Sequence, residues 1–61
     1  MTAEDIVEWL QSIKQGQYAE IFQEKDIDGD ILSEFTINDL GYAGITSLDS
    51  KIILNKFRKI Q

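Results

Sequence analysis

With neither a cysteine nor a histidine among its 61 residues, this chain has to hold its shape by packing alone. Disulfide staples, thiolate or imidazole zinc sites and histidine-assisted serine nucleophiles are absent at the level of atoms. Below about 70 to 80 residues one core supplies only a few kcal/mol, so residues 1–61 are expected to form a single small domain and not a two-domain enzyme. Apolar residues make up 43% of the chain, with one Trp, three Phe and two Tyr, which suffices to build that core. The longest unbroken apolar run, Ile52-Ile53-Leu54, falls far short of the about 20 residues of a membrane span or the roughly 7 to 15 of a signal-peptide core. A soluble domain is expected, and the lack of cysteine fits a reducing compartment such as the cytoplasm.

The apolar residues recur at helical spacing. Ile6, Trp9, Leu10 and Ile13 fall at i, i+3, i+4 and i+7, and Thr2 with Asp5 three residues on makes a capping-box-like start. Gly16 is expected to end this helix in a left-handed conformation, and Tyr18, Ile21 and Phe22 mark a second short helix closing near Lys25. After the turn Asp26-Ile27-Asp28-Gly29-Asp30, the close spacing of Ile31, Leu32 and Phe35 allows a very short third helix. Thr36 with Asp39 starts a fourth, carrying Ile37 and Leu40, which Gly41 and Gly44 are expected to interrupt. Thr46 with Asp49 starts the last and longest, with Ile52, Ile53, Phe57 and Ile60 inward and Lys51, Asn55, Arg58 and Lys59 outward. No segment alternates with period two, so the fold class is all-α: a compact orthogonal five-helix cluster around Trp9, Phe22, Leu40 and Phe57.

Charge is unevenly spread. Residues 1–49 hold eleven acids against Lys14 and Lys25, a balance of −9, while residues 50–61 hold Lys51, Lys56, Arg58 and Lys59 with no acid, a balance of +4. The acidic turn resembles half of a calcium loop, with Glu24, Asp26 and Asp28 at positions 1, 3 and 5 and Gly29 at 6. Position 12 is Phe35, however, and without a bidentate carboxylate there a solvated turn is the expected state. No phosphate loop or nucleophile elbow is present, and so small a core has little room for a pocket that would perturb carboxylates for catalysis. No enzymatic activity, metal or cofactor is expected. Lys56, Arg58 and Lys59 complement the negative end of the last helix dipole. Lys51 stands in the first turn, where the dipole disfavours a cation, and needs another reason to be basic. Trp9 is expected to anchor the core, whereas Tyr42, where the chain turns between Gly41 and Gly44, fits either a partner contact or a cover over the core.

Taken in order, Asp5-Ile6-Val7-Glu8-Trp9-Leu10, Tyr18-Ala19-Glu20-Ile21-Phe22, Ile27-Asp28-Gly29-Asp30, Leu32, Thr36-x-x-Asp39-Leu40 and Gly44-Ile45-Thr46 resemble the sterile alpha motif (SAM) domain over essentially the whole chain. That family is a five-helix bundle. The family's usual Gly-Leu after the first helix is Lys14-Gln15 here, its Leu before the Gly-Ile pair is Ala43, and its common Gly-His-Arg at the last helix is Asp49-Ser50-Lys51.

The resemblance implies a protein–protein interaction module, cut from a larger signalling or scaffolding protein. Family members form head-to-tail polymers or heterodimers, bind an RNA hairpin, or stay monomeric. In those that assemble, an acidic mid-loop surface meets the start of the last helix. Carried over, the first surface is Asp26, Asp28, Asp30, Glu34 and Asp39, and the second, the end-helix face, is Thr46, Ser47, Ser50 and Lys51. The expected partner is a SAM domain of the same or another protein, with weak homo-oligomers included. Binding of RNA is disfavoured, because Asp49 sits where RNA-binding members are basic and Lys51 is the region's one cation. An inert monomeric module is the remaining alternative.

Overall fold

The computed structural model describes residues 1–60. Five α-helices account for the fold: α1 (Ala3–Ser12), α2 (Ala19–Glu24), α3 (Gly29–Glu34), α4 (Ile37–Tyr42) and α5 (Ser47–Ile60), with a 3₁₀ turn at Gly16–Tyr18 before α2. The all-α, five-helix architecture is the expected one. Its Cα radius of gyration of 10.0 Å matches the roughly 10.5 Å of a close-packed chain of this length. No helix among the described residues is long and apolar enough to cross a membrane.

Each helix turns its stripe to one centre. Ile6 and Leu10 come from α1, Phe22 from α2, Leu32 from α3, Leu40 from α4, and Ile53, Leu54 and Phe57 from α5, with Ile27 and Ile45 plugging the connections. Each such side chain contributes about 1.5 to 3 kcal/mol by leaving water. Trp9 is half-buried, packing on this cluster from outside with its ring against Phe57 at 5.5 Å and 68°. That edge-to-face contact joins the first helix to the last.

The structure corrects several local expectations. The left-handed residue after α1 is Lys14, at φ 63°, and not Gly16; the Gln15 N–H then closes onto the Leu10 carbonyl at 2.8 Å. Tyr18 belongs to the 3₁₀ turn, so the second helix starts one residue later. Gly41 lies inside α4, and it is Gly44, at φ 106°, that turns the chain toward α5. Ile60 is exposed, while Leu54 is buried beside Ile53 and Phe57. Gly29 sits close against the chain start: its N–H donates to the Met1 carbonyl at 2.9 Å, and a Cβ there would meet Met1 Cβ at 3.0 Å, so that Met1 would have to shift slightly to admit one.

Fourteen residues at 1.5 Å each make α5 about 21 Å long, nearly the 24 Å extent of the whole molecule. Its two ends therefore lie on opposite sides, which separates Lys51 from Arg58 and Lys59.

Candidate interaction surfaces

Five acids were expected to make one surface, and they divide into two kinds. Asp28 is half-buried and caps α3, its Oδ1 accepting the Ile31 N–H at 2.9 Å. Asp39 is half-buried and closes a capping box on α4: its Oδ2 accepts the Thr36 N–H at 2.9 Å, and its own N–H donates to Thr36 Oγ1 at 3.3 Å. Both carboxylates are occupied in holding helix starts. Asp26, Asp30 and Glu34 are exposed. Asp30 and Glu34 stand four apart on α3 and share one face. Between them Ile31 is 38% exposed, an apolar centre within the acids. Among the described residues no three acidic side chains are grouped to hold a metal ion.

The end-helix residues gather around the start of α5. Thr46 is exposed and its Oγ1 accepts the Asp49 N–H at 3.2 Å; Ser47 and Lys51 are exposed. Ser50 is not on this surface, because its side chain is fully buried, and its Oγ has no hydrogen-bond partner among the described residues. A buried hydroxyl in that state costs stability and contributes nothing to a contact. In its place the structure adds Leu48, 68% exposed on the same turn. The sequence gives little signal for it, since a lone Leu in a helix start reads as core. Tyr42 is 89% exposed; it does not cover the core, and with Ile37, Asn38, Gly41 and Ser47 it lines an open groove of about 340 Å³ between α4 and α5.

Asp49 is the residue that sequence reasoning placed but did not connect. Its Oδ2 accepts the Tyr18 hydroxyl at 2.5 Å and its Oδ1 meets Gln15 Nε2 at 3.5 Å. The Tyr18 hydroxyl holds the Asp49 carboxyl below its ordinary value of 3.8; partial burial opposes this, and Thr46 and Gln15 add to it. Gln15 is itself buried, at 7% exposure. Two departures from the family pattern, Gln15 and Asp49, thus meet in space.

The profile of the SAM domain (Sterile alpha motif) family matches residues 1–61. Among curated proteins, "SH3 and multiple ankyrin repeat domains protein 2" of Xenopus laevis is 31% identical over 58 residues, which is 95% of this chain. The chain spans only 4% of that relative's length. No solved structure matches it. A family match over the full length, on helices that fall where the resemblance put them, makes the chain a member of the SAM domain family.

Proposed function

We propose that this SAM domain joins a second SAM domain head to tail, its acidic α3 face meeting the start of α5 on the partner. SAM domains are non-catalytic protein–protein interaction modules that associate with one another. The observation that carries the head-to-tail reading is the separation of exposed charge: Asp30, with Glu34 on the same face of α3, lies beside Phe57 and Ile60 at the far end of α5, while Lys51 is exposed near the start of that helix with Thr46, Ser47 and Leu48. Each patch has an apolar residue, Ile31 or Leu48, to exclude water around the charges. Opposite charge gives such a contact its register and its on-rate, and makes it weaken with salt. We read the domain as part of a larger cytoplasmic scaffolding or signalling protein, in keeping with a relative whose name describes SH3 and ankyrin repeat domains.

A heterologous contact uses two different patches, so each can be disabled alone. Lys51→Glu removes the end-helix patch. Asp30→Lys with Glu34→Lys removes the acidic one and spares Asp28, whose loss would uncap α3. Each variant should be a folded monomer, and the two mixed at low salt should form a one-to-one dimer and stop, with a micromolar Kd at best, about −8 kcal/mol. Light scattering that finds no dimer in the mixture, or full oligomers of either variant alone, overturns the head-to-tail reading.

A further inference from the structure

Three threonine-x-x-aspartate segments start helices in this chain, at Thr2, Thr36 and Thr46. At the first two the aspartate folds back on its cap: Asp5 Oδ2 accepts the Thr2 N–H at 3.0 Å and Asp39 Oδ2 the Thr36 N–H at 2.9 Å. At the third only half of the box forms. The Asp49 N–H donates to Thr46 Oγ1, while the carboxylate turns to the Tyr18 hydroxyl, 31 residues away in sequence. Gln15 Nε2 faces the second oxygen, and Gln15 Oε1 accepts from Gln17 Nε2 at 3.3 Å, which sets the direction of the Gln15 amide. A phenol donating to a carboxylate is a charge-assisted bond in a half-buried place, whereas the exposed Thr46 N–H can bond water instead. The competition therefore favours Tyr18.

We infer that Tyr18 is a positioning residue for the end-helix face: its hydroxyl turns the Asp49 carboxylate toward the 3₁₀ turn and away from the Thr46 N–H, so that less of its negative charge faces the rim that an acidic partner approaches. The inference rests on the proposed role of that face, but its geometry can be read separately. Without the hydroxyl, Asp49 has the choice that Asp5 and Asp39 take and closes on the Thr46 N–H. A carboxylate then stands on the rim and repels the partner's acids.

The test places Tyr18→Phe in the Asp30→Lys, Glu34→Lys variant, which keeps only its end-helix face. The Thr46 amide reads the geometry by NMR: it should exchange rapidly with Tyr18 present and gain protection in Tyr18→Phe, approaching the Thr36 amide. Binding to the Lys51→Glu variant at low salt should weaken roughly two- to fivefold, the scale of one rim charge. Combining Asp49→Asn with Tyr18→Phe should restore that loss, which a merely loosened fold would not do. A Thr46 amide that is unchanged by Tyr18→Phe overturns the inference, as does a binding loss that Asp49→Asn leaves in place. If the parent pair does not bind at all, the proposed function falls while the Thr46 amide still decides the position of Asp49.

Discussion

The helix starts at Thr2 and Thr36 share their sequence pattern with the one at Thr46, and their carboxylates go to different places. Asp5 and Asp39 bond only within four residues, so α1 and α4 begin as self-contained units. Asp49 leaves its own cap half made and ties α5 to the turn before α2. A local motif thus secures the threonine half of the bargain, because the aspartate N–H is always within reach of its hydroxyl. Where the carboxylate goes depends on which donors the fold brings near it.

The largest way to break this contrast is to part α1 from α5. Trp9→Ala removes the ring that packs on Phe57 and should cost about 3 kcal/mol, at the low end for a Trp because its surface is partly in water already. In a domain of this size that is most of the stability, so circular dichroism should show helix lost in mild urea. A cooperative melt with an unshifted midpoint would mean that the two helix starts are held in place by something else.

A smaller effect sharpens the contrast directly. Thr36→Ala deletes the hydroxyl that accepts the Asp39 N–H and donates to Asp39 Oδ2 at 3.1 Å, and should cost about 1.5 kcal/mol. Thr46→Ala loses a single bond and should cost about 0.5 to 1 kcal/mol. Equal losses in urea titrations of the two variants would erase the distinction between a closed and an open start.

The gentlest comparison is acid. The Asp5 carboxyl is lowered from its usual 3.8 chiefly by the Thr2 N–H and then by the Thr2 hydroxyl, and that of Asp49 chiefly by Tyr18. A folded value below the unfolded one means that both groups stabilise the fold fully above pH 3.8 and lose that contribution as pH falls through their lower folded values. Urea midpoints between about pH 6 and 2 should therefore fall on acidification, and less so in Asp5→Asn and Asp49→Asn. Profiles parallel to the parent for both variants would show that neither carboxylate feels its partner.

What the sequence revealed and what it hid follow the same division between near and far. The boxes at Thr2 and Thr36 span four residues and were legible as patterns, as were the stripes that bury Leu10, Phe22, Leu40 and Phe57. The diversion of Asp49 was not, because Tyr18 and Gln15 are 31 and 34 residues away. Gly16 drew the expectation of a left-handed turn that Lys14 in fact makes, since composition alone favours glycine there. Ser50 misled in another way: the resemblance carried it over to the end-helix face, and only packing shows that α5 rolls it inward. The acids of the candidate face were visible in number, but capping had already claimed Asp28 and Asp39.

Three of the five helices, α2, α3 and α4, have six residues each. An isolated helix in water needs about 12 to 15 residues before propagation outweighs the cost of nucleation. Their helicity is therefore borrowed from the common core, and melting should be all-or-none, with no surviving sub-structure built from them. The acidic surface on α3 is in that sense not a linear epitope. A synthetic peptide covering residues 26–39 would carry every one of its charges and still compete poorly, because the arrangement that makes them a surface exists only while the other four helices are in place.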